Sequence, residues 1–539
     1  MIRDDLTPRQ LDVVEATDPV VLVLGAAGSG KTTTALWAAR EHLLNDRTPE
    51  YERALFVTFS RSSVSQIASR ARAVFAGVER RIEIHTFHSL AYRLLEAFGR
   101  YNGYGKRIPS IESPARAKLL GRDAALLSYD DLIPAALALL ENAAVVRFVR
   151  ERWGFVICDE FQDTGTHQWR LLRHLMEGNR ALLLADPHQM IYEWRRDGVG
   201  PQRVEEARQM AGRVIELGPA SHRDPSQVIP AMAFSILNGD FATEAVEAAI
   251  ESGRLRVAAC PAQGEANVVV EEIRDARRNG CRTVGVFETT NLLAAQLGAE
   301  LSDRGISYGL LGIPEAQAEG LTAQAELLAY GLGRGNFDEA RVQLAVFLTA
   351  VSRGNVAPAL AIQIRDDRIL SPHLQGHFDE LDAALAATTR SDDLLAIIRG
   401  AWDGLAMTSG RPAWDRANRS FESLARRMLA APAPVETLAE RVLLATEELR
   451  NDALHTGDAQ ERSSLHLMNR HQTKGREWDG VILVFRHDGW VTSDPEPYAE
   501  AFRLLYVTLT RARKRACVLV PPRPHEVIAP FAALCGRSS

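Results

Sequence analysis

Eight residues, GAAGSGKT at 25–32, restrict the fold of this 539-residue chain more than any other stretch. They fit the phosphate-loop pattern G-x-x-x-x-G-K-[ST], with Gly25, Gly30, Lys31 and Thr32 in its fixed places. Small residues let backbone N–H groups curl around phosphate oxygens. Lys31 adds a mobile positive charge for the β and γ phosphates, and the Thr32 hydroxyl is a ligand for Mg²⁺. The preceding apolar run PVVLVLG (Pro19–Gly25) reads as a buried parallel strand. The following TTTALWAAREHLL (Thr32–Leu44) has helical spacing, which puts bound phosphate at a helix N-terminus. A nucleoside triphosphate is the expected ligand.

Strand-like apolar runs recur at Pro19–Leu24, Ala54–Phe59, Gly154–Cys158 and Arg180–Ala185, each before a polar loop. That alternation predicts a parallel α/β sheet with ligand groups at the carboxyl ends of its strands. A Gly/Tyr-rich stretch and an Ala/Leu-rich helical one (Pro114–Val149) interrupt it. A second α/β region begins near 213, with RVIELG, RLRVAAC and RTVGVFE as strands and helices over Asn267–Arg278 and Asn291–Arg304. Residues 313–461 have helical periodicity throughout, and strands return at Gly480–Phe485 and Ala516–Val520. The expected domains are 1–96 with 147–220, a short helical insertion at 97–146, a second α/β domain at 221–312 with 462–539, and an all-α domain at 313–461.

The five cysteines (Cys158, Cys260, Cys281, Cys517, Cys535) show no pairing or C-x-x-C pattern, which points to a reducing, cytoplasmic setting. The polar start MIRDDLTPRQ argues against a signal peptide, and no run of about 18 apolar residues spans a membrane. The formal charge of −6 does not advertise nucleic acid, although a local groove can be basic on an acidic protein.

FVICDEFQDT (Phe155–Thr164) is an apolar strand ending in two acids. Asp159 is placed to hold Mg²⁺, directly or through water, and Glu160 to orient and deprotonate the attacking water. In ADPHQMIYEW (Ala185–Trp194), Gln189 is placed to sense a γ-phosphate. Tyr192 and Trp194 fit a stacking platform for bases, or packing beneath a loop.

Taken in order, these residues resemble superfamily 1 DNA helicases of the UvrD/Rep/PcrA type. LTPRQ (Leu6–Gln10) resembles the Q-motif, GAAGSGKTT motif I, FVTFSRSS motif Ia, HTFHSLAYRLL motif Ib and DEFQD motif II. DPHQMIYEWR resembles motif III, SHRDPS motif IV, MNRHQTKGREWDGVILV motif V and RLLYVTLTRARK motif VI. The match runs from residue 6 to 514 and implies two RecA-like P-loop domains with mainly helical insertions.

The resemblance implies roles by position. Gln10 reads the adenine edge; Gly25, Ala26, Ala27, Gly28, Ser29, Gly30, Lys31, Thr32 and Thr33 cradle ATP; Asp159 and Thr32 hold Mg²⁺. Gln189 and Arg195 reach the γ-phosphate, Arg223 and Arg511 act as arginine fingers from the second domain, and Glu477 contacts the ribose. Phe59, Arg61, Thr86, His88, Tyr192, Trp194 and His471 fall where the family touches single-stranded DNA, although core packing also accounts for Phe59 and helix-start hydrogen bonding for His88.

An ATP-dependent, 3′–5′ DNA helicase or translocase working on single strands or single-strand/duplex junctions is therefore the expected function. The alternative is a DNA-responsive ATPase subunit controlling a partner nuclease or repair factor, in DNA repair or antiphage defence. Motifs Ia, III and V depart from the family in detail (SRSSV, ADPHQMIY, TKGREWDG), the accessory regions look reduced, and a C-terminal nuclease is not expected after motif VI.

Overall fold

The computed structural model describes residues 3–104, 110–121, 126–191, 199–310 (219 and 262 aside), 315–366 (353 and 355 aside), 371–405 (389 aside), 410–429, 440, 443, 463–486 and 496–536. The chain divides into two compact units. One comprises Met1–Ile108, Asp131–Leu310 and Gln460–Ser539; the other comprises Pro109–Asp130 and Leu311–Ala459.

The first unit holds two six-stranded parallel sheets flanked by helices, the α/β architecture expected. The strands of the first sheet are β1 (Val20–Leu24), β2 (Ala54–Thr58), β3 (Ile82–Thr86), β4 (Phe155–Cys158), β5 (Arg180–Ala185) and β6 (Arg213–Glu216), in spatial order β3-β2-β4-β5-β1-β6. β1 runs in register with β5 from Val20↔Ala181 to Leu24↔Ala185, and β4 pairs with β5 up to Cys158↔Leu183. Parallel pairing therefore brings the ends of β1, β4 and β5 to one edge of the sheet, and with them Gly25, Asp159 and Asp186. The two faces of these strands are buried, which explains their unbroken apolar runs.

The second sheet comprises β7 (Leu255–Ala259), β8 (Val284–Glu288), β9 (Gly309–Leu310), β10 (Leu465–Asn469), β11 (Trp478–Val484) and β12 (Ala512–Val520), in order β9-β10-β8-β11-β12-β7. Val284, Val286, Leu465, Leu467, Ile482 and Cys517 meet in one core beneath the helices Glu265–Arg278 and Asn291–Asp303.

Three sequence expectations shift. RVIELG does not open the second α/β region; Arg213–Glu216 pairs with β1 as an edge strand of the first sheet, where Ile215 and Leu217 join its core. β3 and β10 were not expected as strands. Their sequences, IEIHT and LHLMN, carry polar residues and lack the long apolar run used to find the others. The helical stretch over Pro114–Val149 is three helices, Pro114–Leu120, Leu132–Leu139 and Ala143–Arg152, with a short strand, Leu126–Ser128, between the first two.

Within the second unit Ala115 N–H donates to Glu315 at 2.8 Å, and Arg116 donates to Gln343 at 3.0 Å. These bonds tie Pro114–Leu120 to the helices Glu315–Gly331 and Phe337–Val351. Trp402 and Trp414 stack in that unit's core, 5.7 Å apart, against Phe347. Among the described residues no single helix is long and apolar enough to cross a membrane.

Candidate active site

The phosphate loop leaves β1 and turns into the helix Lys31–Leu43 through two glycines in left-handed backbone, Gly28 (φ +81°) and Gly30 (φ +89°). Neither position has room for a side chain. A Cβ on Gly28 would strike the Ser221 hydroxyl, and one on Gly30 would lie 2.5 Å from the Gln10 amide. Lys31 Nζ donates to the carbonyls of Gly25 (2.6 Å) and Ala26 (3.1 Å) and faces the Asp186 carboxylate at 3.9 Å. Its ammonium therefore sits over the mouth of the loop.

Two acids stand at the end of β4. Thr32 donates its hydroxyl proton to Asp159 at 3.0 Å. Glu160 takes left-handed backbone (φ +53°), unusual for a residue with a Cβ and a form of strain concentrated at functional sites. Gln162 donates to Glu160 at 2.7 Å and accepts from the Asp186 N–H at 3.1 Å, linking the ends of β4 and β5. Asp186 in turn accepts from the Gln189 amide at 2.6 Å.

The second sheet completes this cluster. Arg511, 1% exposed, immediately precedes β12. It donates to the Gln189 side-chain oxygen at 2.8 Å and to the Val507 carbonyl at 2.8 Å. Lys474 Nζ donates to Asp163 and to the Gln189 carbonyl (2.8 Å), and lies 3.4 Å from Glu160. Glu477, just before β11, is clasped by Arg223 on one side and by Arg513 at 2.9 Å on the other. A backbone bond from Trp478 N–H to the Arg511 carbonyl (3.0 Å) fixes the starts of β11 and β12 side by side. The first sheet thus contributes the carboxyl ends of its strands, and the second sheet contributes the amino ends of β11 and β12.

Charge separates the two acids. Burial pushes both carboxyls up, but Lys474, Lys31 and Arg511 pull Glu160 down to about 2. Asp159 is raised to about 6 by burial and by the Glu160 charge beside it, the kind of site a divalent cation relieves. Burial and the neighbouring Arg223 lower Arg511 to about 10, so it remains a cation at neutral pH. Burial opposes ionisation of Glu477, yet Arg223 and Arg513 hold it at about 2.

A cavity of about 360 Å³ lies among these groups, lined by Gly28 to Thr33 of the loop and by Asp159, Glu160, Gln189, Arg223 and Glu477. Ala27 also borders it, and its N–H donates to the Tyr506 hydroxyl at 3.4 Å. Gln10 stands just behind. Its side-chain oxygen accepts from Thr7 N–H at 2.9 Å and its amide donates to the Ser29 carbonyl at 3.1 Å. These two bonds fix the orientation of the side chain and leave one amide N–H and one oxygen lone pair uncommitted by them.

Of the residues expected at a nucleic acid strand, the described ones do not line this cavity and stand at the carboxyl ends of other strands. Phe59 follows β2 and packs edge-on against Phe87, ring centroids 6.1 Å apart. Arg61 opens the helix Arg61–Val74. Thr86 ends β3, and its hydroxyl caps the helix Phe87–Phe98 by accepting from Ser89 N–H at 3.1 Å. His88 is half-buried in the first turn of that helix. His471 follows β10, lowered to about 4 by burial and Arg470 and hence neutral at physiological pH. Tyr192, Trp194 and Arg195 lie outside the described residues.

Lys474, Tyr506, Asp186 and Gln162 all fall inside the quoted motifs, but the sequence assigned none of them a role. The T-K-G triplet before β11 and the helical spacing of Arg503, Tyr506 and Thr510 were the available signals. Arg503, on the same helix as Tyr506, donates to the Met190 carbonyl at 2.8 Å.

Comparison with known proteins places these elements in context. A family model described as the UvrD/REP helicase N-terminal domain matches residues 6–125 and 117–199. A model described as the UvrD-like helicase C-terminal domain matches residues 464–519. The ATP-dependent DNA helicase UvrD2 of Mycobacterium tuberculosis is 24% identical over 595 residues, covering 94% of this chain and 77% of that protein. The ATP-dependent DNA helicase PcrA of Leuconostoc citreum is 24% identical over 255 residues, 36% of this chain and 34% of its own. PcrA of Bacillus subtilis is 23% identical over 252 residues, 35% and 34% of the respective chains.

Proposed function

Because this chain belongs to the UvrD/REP helicase family, we propose that it is an ATP-dependent DNA helicase, a DNA-stimulated ATPase that moves 3′–5′ along a single strand as its two sheets close and part. One observation carries the mechanism. Arg511 and Lys474, both from the second-sheet half, reach Gln189, Asp163 and Glu160 of the first. A site assembled from two halves is competent only when they are together, so hydrolysis follows their relative position.

Each residue then has a task. Backbone amides of Ala27 to Thr33 and the Lys31 ammonium bind the triphosphate, and displacing Lys31 from its two carbonyls frees it for the β and γ oxygens. Thr32 and Asp159 would hold Mg²⁺, a hard cation that suits one hydroxyl and one carboxylate with the remaining ligands from phosphate and water. When bound, that ion supplies neutralisation of phosphate charge. Glu160, kept ionised by its cationic neighbours, orients the attacking water and accepts its proton. Arg511 and Arg223 stabilise charge spread over the transferring phosphoryl oxygens. Phe59, Arg61, Thr86, His88 and His471 stand at carboxyl ends of strands in both halves, positioned to follow a single strand as the halves move.

The direct test is steady-state ATP hydrolysis with and without single-stranded DNA, followed by unwinding of duplexes with 3′ or 5′ overhangs. A large stimulation and unwinding from 3′ overhangs is expected; hydrolysis indifferent to DNA would refute the motor reading. Lys31→Ala is expected to abolish turnover while the chain still folds, with thermal unfolding followed alongside because the Gly25 and Ala26 carbonyls lose their donor.

A pH effect follows from Lys474. Its ammonium is the strongest of the influences pulling Glu160 down against burial. Removing it in Lys474→Gln raises the Glu160 pKa, and a base is active only above its pKa. The acid limb of kcat/KM against pH is therefore expected to move to higher pH in the variant, and identical limbs would remove Lys474 from this role.

A further inference from the structure

A cavity apart from the nucleotide site opens at the opposite end of the first sheet. It has a volume of about 760 Å³ and lies at the starts of β1 and β5, beside the last turn of the helix Thr166–Met176. Pro19, Met176 and Met210 give it an apolar floor and rim, with Met210 39% exposed. Arg170 and Arg173 stand at its edge, one helical turn apart and exposed, and neither forms an ion pair or side-chain hydrogen bond with the described residues. Arg180 adds a third guanidinium at the base. It is anchored to the Ala16 carbonyl and lies over Phe155 at 5.1 Å, while its Nε has no hydrogen-bond partner. The carboxylate at the edge, Glu177, is already paired with Arg150.

An apolar pit edged by two unpaired guanidinium groups, Arg170 and Arg173, with a third, Arg180, bonded to Ala16 and His42 at its base, is complementary to one kind of occupant. We propose that this cavity is a docking site for an acidic segment of a partner protein, whose carboxylates pair with Arg170 and Arg173 while an apolar side chain fills the space between Pro19, Met176 and Met210. A phosphate backbone would satisfy the arginines but would leave the apolar floor uncovered, which favours a peptide over a nucleic acid strand. The phosphate loop leaves β1 from its other end, so the occupant and a nucleotide do not compete for space.

The probe is a short fluorescein-labelled peptide of alternating aspartate and leucine, titrated against the full chain and read by fluorescence anisotropy. Saturable binding is expected, weakened about tenfold or more by Arg170→Glu with Arg173→Glu, and similarly by Met210→Asp. A peptide with serine in place of leucine is expected to bind markedly less well. Binding of a fluorescent ATP analogue is expected to be unchanged in these variants, which also reports that they fold. Equal peptide affinity in wild type and the double variant would overturn the site. So would equal binding of the serine peptide, which would reduce it to charge attraction. Loss of single-stranded DNA affinity with peptide affinity intact would make it a nucleic acid surface instead.

Discussion

Arg511→Ala is expected to hydrolyse ATP about 10³-fold more slowly than the wild type while binding nucleotide nearly as well, a loss of ~4 kcal/mol from the transition state. Arg511, from the second-sheet half, donates to Gln189, and its charge lies close enough to Glu160 for the two to influence each other. Its charge is worth most when negative charge spreads over the transferring oxygens, and least in the ground state. Truncation also leaves the Gln189 side-chain oxygen and the Val507 carbonyl without their donor, at about 1–3 kcal/mol of stability, so thermal unfolding must be followed alongside activity. Arg511→Lys separates the two effects: it keeps a positive charge but loses the planar fork, and turnover should stay at least about 10²-fold down. If Arg511→Ala folds and turns over at a normal rate, Arg511 is a structural tie between the sheets and nothing more.

Glu160→Gln should lower the single-turnover rate about 10³-fold, within the range of a lost general base, with nucleotide affinity kept or improved. The substitution is nearly isosteric and leaves Asp159 and Thr32 paired, so the oxygens proposed to hold Mg²⁺ remain. It also removes the like charge that raises Asp159, and tighter Mg²⁺-dependent nucleotide binding is the second readout. A variant that hydrolyses ATP normally would transfer the base role to another group.

The nucleotide half of the site was legible because its residues are local. Gly25 to Thr33 are contiguous, and their spacing encodes a loop that only small residues can form. Asp159 and Glu160 were readable because an apolar strand ends on them. Of the cross-sheet part, Arg511 was reached only by resemblance and Lys474 not at all, since nothing in the spacing of Lys474, Arg511 and Glu160 says that they meet. What the structure adds for Gln10 and Glu477 is their surroundings: Thr7 and Ser29 hold the first, Arg223 and Arg513 the second. The strands β3 and β10 escaped notice because polar residues break the apolar signal that marked β1, β4 and β5.

From the sequence alone came the phosphate loop, the parallel α/β class and the two acids, because each depends on residues that are neighbours in the chain. Tertiary structure alone decided which cations face those acids, that Pro114–Leu120 packs with the helices after 315, and that an arginine-rimmed pit opens at the starts of β1 and β5. Those outcomes depend on pairings between residues far apart in sequence, where register and packing choose the partners and local pattern carries no record of the choice.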